Sequence, residues 1–583
     1  MKILAISDGM TGGAAILEEG RVTFAVHEER LTRDKMAVGF PRQSITMALQ
    51  ATGTDPREID AVAVATVNEF LRDPPVAYDG WLLRDQSAVK ELLLQAASSV
   101  TRLGGSASLL KRSYYELKSV LGRARRKTIR TLLRDEWGLG CPVEFVDHHF
   151  AHACSAYYTN CHAEATVITM DGAGDNQCSH VYRVRNGVFE RLWTIDSFDS
   201  IGNYYAYATH LCGFTAQKHE GKITGLAAYG RPEYLDLLRR FVTYKDGSTV
   251  NVGRVFYWSA VKALSRALPR GFRREDLAAS AQRLLEEVCS AYVDHWVRRT
   301  GCADLAVAGG VFANVKLNQR LHELPAVRSL FIHPGMGDEG LAVGAGYAVT
   351  AALGKARGMT LMPKRLPEVF LGPDYREEET ARAIQEEGLE VEPAPDVERR
   401  AAELLAQGRV VARSAGRMEY GPRALGNRSL LFQPTDPGVN DWLNKRLRRT
   451  EFMPFAPVTP AESADQCYRG LDGARYAAEF MTITFECTPW LQEHCPAVVH
   501  VDGTARPQLI HRDTNPRYHR ILEEYRKLTG LPVLINTSFN MHEEPIVCTP
   551  RDALRAFVQG GLDYLLLGDC LVRCPASNRP APA

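Results

Sequence analysis

The feature that most constrains this chain is a local design written twice. Residues 2–7 are a compact apolar run, Asp8-Gly9-Met10-Thr11-Gly12-Gly13 is a small-residue turn, and residues 14–17 and 22–27 are two further runs joined at Glu19-Gly20. Much later the order returns. Residues 165–170 are apolar, Asp171-Gly172-Ala173-Gly174-Asp175 is an acid-and-glycine turn, and residues 180–184 and 189–194 are runs joined at Asn186-Gly187. Asn-Gly between alternating runs predicts a hairpin, because such pairs accept the positive φ that tight turns need. Each unit reads as three strands followed by helices, and the pair constrains the fold more than either copy alone.

The paired units resemble the duplicated architecture of actin and the sugar kinases. That resemblance implies two glycine hairpins facing a nucleotide cleft, where bare backbone N–H groups at Gly12 and Gly172 can approach phosphates. Further on, residues 305–314 end a buried strand in Gly309-Gly310 before Asn314, a pattern that lets backbone approach a nucleotide beyond a strand end. Residues 220–230, with their glycines and Lys222, suit a loop-to-helix anion site.

Between the copies and their helices lies Asp147-His148-His149-Phe150-Ala151-His152. A helix starting near Asp147 puts His148 and His152 one turn apart on one face, where two imidazoles can hold a divalent ion or simply pack. A third ligand decides between these readings. Asp338, in the glycine-rich loop after the run 329–332, is the candidate.

Residues 85–138 read as helical and basic, with Arg123, Arg125, Arg126, Lys127 and Arg130 on a solvated face. Residues 355–366 read as a linker between a domain at 1–354 and a second at 367–574, followed by a tail at 575–583. A chain of 583 residues is too long for a single core. The second domain carries Arg423, Lys445, Arg449 and Arg506 on Gly- and Pro-rich loops, with Asn536 and Ser538 at a strand end. Such loops suit a small, doubly charged phosphate.

Composition narrows the class. The formal net charge is +1, which gives no sign of a nucleic-acid partner. No apolar run is long enough to span a bilayer. The 13 cysteines are scattered without CxxC pairs, so a reducing cytoplasm is the expected setting.

With these motifs together, the chain resembles the O-carbamoyltransferase family of antibiotic, toxin and nodulation-factor biosynthesis, from Ile3 to about Cys574. The motifs are His148 to His152, residues 220–230, 309–314, Gly337-Asp338, 416–429, 452–457 and 536–540. The resemblance implies an α/β chain with a duplicated actin-like (ASKHA-type) N-terminal domain joined to a YrdC-like C-terminal domain. It implies that carbamoyl phosphate and ATP, with Mg(II), form carbamoyl adenylate in the second domain. The first domain then transfers the carbamoyl group to a hydroxyl of a small-molecule acceptor. A tRNA threonylcarbamoyladenosine enzyme is the alternative, and the near-neutral charge argues against it. Carried over by motif, His148, His152 and Asp338 bind an Fe(II)-type metal, and Gly309, Gly310 and Asn314 hold the nucleotide. Arg423, Lys445, Arg449, Arg506, Asn536 and Ser538 hold carbamoyl phosphate and the ATP phosphates. A homodimer is compatible with the family.

One departure stands out. Relatives carry His-Asp in the first glycine turn, where the histidine is a candidate base, and this chain has Met10-Thr11. Asp8, His27 and Lys222 are the remaining catalytic candidates, with His27 otherwise an ordinary strand-end histidine.

Overall fold

Strands form where the sequence runs apolar between glycine turns. In the computed structural model, which describes residues 1–68, 71–78, 80, 107–447 and 452–575, the first copy gives β1 (Lys2–Ser7), β2 (Gly13–Glu18) and β3 (Arg21–His27). β1 pairs antiparallel with β2 and parallel with β4 (Ala61–Ala65), which pairs parallel with β5 (Val143–Val146). The second copy gives β6 (Glu164–Gly174), β7 (Gln177–Arg185) and β8 (Val188–Asp196). A small hairpin, β9 (Thr243–Lys245) and β10 (Ser248–Val250), comes next in the chain. β6 pairs antiparallel with β7 and parallel with β11 (Asp304–Ala308), which pairs parallel with β12 (Ser329–Ile332).

The sheet orders are β3-β2-β1-β4-β5 and β12-β11-β6-β7-β8. Read from the third strand of each copy, they are the same order. This is the duplicated actin-like arrangement that the repeated motif predicted. The hairpin turns carry positive φ at both central residues, 48° and 73° at Glu19-Gly20 and 48° and 77° at Asn186-Gly187. That is the backbone a two-residue hairpin requires. One turn moves from its expected place. β6 runs on through Asp171 to Gly174 after a register shift, and the chain reverses at Asp175-Asn176, with φ 46° and 71°.

The helix His148–Tyr158 is buried along nearly its whole length and packs against the helix Leu341–Ala356. Small residues make this contact close. A Cβ on Gly344 would stand 1.9 Å from the Ala151 carbonyl oxygen, so only glycine lets the two backbones meet.

Contacts divide the chain into two units, Met1–Thr23 with Met36–Arg365, and Phe24–Lys35 with Leu366–Ala583. Two expectations are corrected here. By contacts residues 24–35 group with the second unit, although 24–27 complete β3 of the first sheet: the Ala25 N–H donates to the Leu371 carbonyl (3.0 Å), and the Arg33 guanidinium donates to the carbonyls of Pro545 and Ile546, both at 2.8 Å. Residues 355–365 are not a free linker, because the Lys364 N–H donates to the Tyr158 carbonyl (3.0 Å) in the first unit. The expected tail lies, from residue 576, outside the described residues.

The second unit is α/β. Its mixed sheet has the order β13-β23-β22-β14-β15-β21-β16-β20, with β13 Val391–Glu392, β14 Val411–Ser414, β15 Arg428–Phe432, β16 Ala456–Pro460, β20 Gln508–Ile510, β21 Leu534–Ser538, β22 Tyr564–Leu567 and β23 Cys570–Arg573. A small sheet holds β17 (Tyr468–Arg469), β18 (Phe485–Cys487) and β19 (Thr504–Ala505). The helices Val397–Ala406 and Pro516–Thr529 pack on the larger sheet, burying Leu405, Tyr518 and Leu522 against Val411, Leu431 and Leu534. Among the described residues no helix is long and apolar enough to cross a membrane.

Gly344→Ala is expected to destabilise the first unit by about 1–3 kcal/mol through overpacking. Gly354→Ala in the same helix, where a Cβ would have 3.6 Å of room, is expected to be neutral or slightly stabilising. Urea unfolding followed by intrinsic fluorescence compares the two.

Candidate metal centre and surrounding residues

The helix that carries the histidines begins where its cap says it should. The Asp147 side chain accepts the Phe150 N–H (2.8 Å), an N-cap that satisfies one of the first orphan donors. A second carboxylate, Asp175, accepts the N–H groups of His148 (2.9 Å), Val67 (3.0 Å) and Asn68 (2.6 Å). It thereby ties the helix start to the end of β4. Gly174 clears the space beside it, since a Cβ there would stand 2.1 Å from the His148 ring.

Four side chains converge at this end of the second sheet. His148 Nε2 lies 3.5 Å from Asp171 Oδ2 and 3.7 Å from Asp338 Oδ1. His152 Nε2 lies 3.3 Å from Asp171 Oδ2 and 3.7 Å from Asp338 Oδ1. The four ligand atoms all fall within 4.8 Å of one another. Asp338, the candidate third ligand from the sequence, is one of the four. Asp171 was missed, although the signal was present: it occupies the place in the second copy that Asp8 occupies in the first.

The electrostatics fit a cation. Burial alone would lower the His148 imidazole, but Asp171 and Asp338 outweigh it and raise it to about 9. The same opposition raises His152. Burial would raise the Asp171 carboxyl, and the two imidazoles instead hold it well below the usual carboxylate range. Among the described residues neither His152 ring nitrogen has a hydrogen-bond partner, although the residue is fully buried. Its Nε2 faces the Asp171 and Asp338 oxygens at 3.3 and 3.7 Å, donor atoms that a bound ion could join. The neighbouring histidines are of another kind. Burial lowers His149 well below its ordinary value and takes His180 and His333 to about 3, so these stay neutral. Their ring nitrogens meet Thr169, Tyr182 and Thr159 hydroxyls at 2.9, 2.8 and 2.9 Å.

Several predicted residues take other roles. Asp8 is not available as a base: it sits in a buried two-pronged ion pair with Arg125, whose Nε is 2.8 Å from Asp8 Oδ2. Arg125 also donates to the carbonyls of Ala65 and Thr66, both at 3.1 Å. It is therefore no part of the solvated basic face expected for the helix Ala107–Trp137, although Arg123, Lys127 and Arg130 are exposed. His27 is buried in the second unit with its ring 5.6 Å from Tyr420, as a strand-end packing residue. Lys222 lies inside the helix Glu220–Leu226, its ammonium 5.9 Å from the Phe214 ring centroid, rather than on a free anion-binding loop.

The glycines have steric reasons of their own. Gly309 adopts φ 111°, and a Cβ on it would stand 2.1 Å from the Met170 carbonyl oxygen. One on Gly310 would stand 3.0 Å from Asp171 Oδ1, and one on Gly12 2.8 Å from the Ser7 carbonyl oxygen. Gly172 faces Asn203, whose Nδ2 donates to the Gly172 carbonyl (3.0 Å). Asn314 caps the helix Val315–His322 through the Leu317 N–H (2.9 Å) and donates to Gln282 Oε1 (2.8 Å).

In the second unit, Glu419 organises the loop that carries Arg423. Its Oε1 accepts the N–H groups of Leu425 (2.8 Å), Asn427 (2.7 Å) and Arg428 (3.0 Å). Sequence reasoning passed over this residue because a glutamate among arginines carries no local signature. Asn536 Nδ2 donates to Gln508 Oε1 (2.6 Å) and to the Ala424 carbonyl (3.3 Å). This brings Asn536 beside the neighbours of Arg423 and Arg506, with Ser538 further along β21. Lys445 is exposed, and Arg449 lies outside the described residues.

Asp171→Asn and Gly174→Ala are each expected to weaken Co(II) or Fe(II) binding by at least about tenfold. Wild-type binding is expected to tighten with rising pH and to release about one proton per ion near neutrality. Calorimetry in two buffers of different ionisation enthalpy measures both quantities.

Comparison with known proteins follows the same two units. A model of the carbamoyltransferase N-terminus matches residues 2–347, and one of the carbamoyltransferase C-terminus matches residues 402–574. The nodulation protein NolNO of Sinorhizobium fredii (strain NBRC 101917 / NGR234) is 32% identical over 96% of this chain and 78% of its own. Nodulation protein U of Rhizobium tropici is 27% identical over 97% and 95%. Among solved structures, component A of (R)-2-hydroxyglutaryl-CoA dehydratase from Acidaminococcus fermentans aligns with 60% of this chain and 99% of its own, at a TM-score of 0.33 and 16% identity. Full-length HypF in its phosphate- and nucleotide-bound form covers 60% of this chain and 46% of its own, at 0.32 and 12%. Structural likeness at that level bears on neither site nor activity. The two sequence models account for most of both units, and the chain belongs to the carbamoyltransferase family of enzymes.

Proposed function

We propose that this carbamoyltransferase converts carbamoyl phosphate and ATP to carbamoyl adenylate in its second, YrdC-like unit, and transfers the carbamoyl group in its first unit to a hydroxyl of a small natural product. The observation that carries the reading is the cluster of His148, His152, Asp171 and Asp338 at the strand ends of a duplicated actin-like sheet. An Fe(II)-type ion held by these four would supply Lewis-acid stabilisation of the adenylate phosphate as it leaves, and Mg(II) would accompany ATP.

The protein's own groups fit the two half-reactions. In the second unit, Asn536 Oδ1 is buried without a hydrogen-bond partner among the described residues. The amide cannot usefully flip, because its Nδ2 already serves two acceptors. A carbamoyl group presents N–H donors that such an oxygen accepts. Arg423, on the loop that Glu419 holds through three N–H groups, and Arg506, between β19 and β20, supply charge for the phosphates. Carbamate is lost to water when carbamoyl phosphate decomposes, which favours formation and use of the adenylate within one protein. The 13 free cysteines suit the cytoplasm, where ATP is plentiful.

The experiment follows each half-reaction in the full chain. Arg506→Ala is expected to reduce carbamoyl-phosphate-dependent pyrophosphate release by about a hundredfold or more, while still transferring from supplied carbamoyl adenylate. Asp338→Ala is expected to do the reverse. Absence of pyrophosphate release by the wild type, or loss of both steps in Arg506→Ala, contradicts the proposal.

A further inference from the structure

An acceptor hydroxyl attacking a carbamoyl carbon needs a base. Asp8 is held in its ion pair with Arg125, and the His27 ring packs against Tyr420. Another carboxylate, Glu220, is linked through Gln217 to the residue that follows Asp171. A Cβ on Gly172, the residue after Asp171, would lie 3.1 Å from Asn203 Oδ1 and 3.7 Å from Gln217 Nε2, so the Gln217 amide is one of the two side chains over this glycine. The Tyr78 hydroxyl donates to Gln217 Oε1, and the Gln217 backbone N–H donates to Glu220 Oε1 (2.5 Å). Tyr78, Gln217 and Glu220 thus form one connected polar wall starting a residue away from Asp171. The Tyr78 hydroxyl is held up chiefly by burial and then by the charge of Glu220, with Tyr257 and Asp338 adding to it. Its ring therefore lies within the field of both carboxylates.

We propose that Glu220 takes the proton from the acceptor hydroxyl, in a subsite that it forms with Gln217 and Tyr78. The inference rests on transfer from carbamoyl adenylate, as proposed above. In the step, the hydroxyl proton moves to a Glu220 carboxylate oxygen while the hydroxyl oxygen's electron pair bonds to the carbamoyl carbon. The bond from that carbon to the AMP oxygen breaks, AMP leaves with the electron pair, and the proton passes on to water.

The surroundings suit a base working near neutrality. Desolvation pushes the Glu220 carboxyl up to about 7, against the pull of the Gln217 N–H and of its own backbone N–H. The polar groups around it are Tyr78 from the segment before residue 80, Tyr205 from the helix Ile201–Leu211, and His219 and Lys222 on its own stretch. Tyr205 is engaged with Thr224 (2.9 Å) and Gln282 (2.8 Å), and His219 Nδ1 accepts the Thr215 N–H (3.2 Å). The Lys222 ammonium lies over the Phe214 ring.

Glu220→Gln keeps an oxygen for the Gln217 N–H and removes the proton acceptor, so it tests the role with little effect on folding. The full chain is supplied with Fe(II), ATP and carbamoyl phosphate, and two kinds of acceptor are compared. Hydroxylamine attacks through nitrogen without a base and gives hydroxyurea and AMP. Water, glycerol and methyl glucoside attack through a hydroxyl. The variant is expected to form pyrophosphate and hydroxyurea at wild-type rates and to lose about 10²–10⁴ in kcat with the hydroxyl probes. The wild-type hydroxyl rate needs the carboxylate, so it is expected to rise as pH passes through Glu220's titration. The variant loses that limb. Three results overturn the assignment: unchanged kcat with hydroxyl probes, equal loss with hydroxylamine, or a wild type that carbamoylates hydroxylamine and none of the hydroxyls. A wild type that forms neither pyrophosphate nor hydroxyurea removes the parent reading, and the base with it.

Discussion

The first unit is organised around one carboxylate held against two imidazoles almost wholly out of water. Asp171 lies within 3.5 Å of both His148 and His152, and those side chains are no more than 4% exposed. Charges so buried are tolerated only when they face one another, and removing one partner leaves the others uncompensated. That requirement sets the local backbone. β6 must run past its neighbours to deliver Asp171, the loop after β12 must bring Asp338 across, and the helix His148–Tyr158 must begin within reach of both. The glycines follow from the same demand. Gly174 leaves room for the His148 ring, Gly309 for the end of β6, and Gly344 for the helix behind it.

Duplication explains why one site exists and not two. Each copy carries Asp-Gly after its first apolar run, and each aspartate meets cationic or imidazole partners. In the first copy Arg125 fills that role, and its five donors saturate Asp8 and the carbonyls of Ala65 and Thr66. In the second, two histidines stand in the corresponding region, and an ion bound there would displace their protons to solvent. The same topology thus gives a structural ion pair on one side and a candidate metal site on the other. A second theme recurs in both units. Asp175 and Glu419 each gather three backbone N–H groups, fixing the loops that carry the reactive side chains.

Much of this was legible in the sequence, for reasons that are local. Glu-Gly and Asn-Gly specify their hairpins because few other pairs accept two positive φ values. The spacing of His148 and His152 needs only a helix, which Asp147 caps. Asp338 was legible as an acid in a glycine-rich loop opening a helix. What escaped depends on partners distant in the chain. Asp171 read as a turn residue because its turn is displaced to Asp175-Asn176 by a register shift that no spacing announces. Arg125 read as a surface cation because its neighbours on the helix are exposed. Residues 24–35 continue a strand of the first sheet, and only their contacts with Leu371, Pro545 and Ile546 assign them to the other unit. In the second unit the arginines were legible as a class. Asn536 was legible beside them at a strand end, while Glu419 stood out only once its hydrogen bonds to the loop up to Arg428 were in place.

The account depends most on the four-residue centre being a metal site. Anomalous diffraction at the iron edge, from crystals grown anaerobically with Fe(II), tests that directly. The predicted result is one ion about 2.0–2.2 Å from His148 Nε2 and His152 Nε2, with Asp171 and Asp338 oxygens in the same shell. A peak elsewhere in the chain, or iron-free density with the two histidines hydrogen-bonded to the carboxylates, would contradict it.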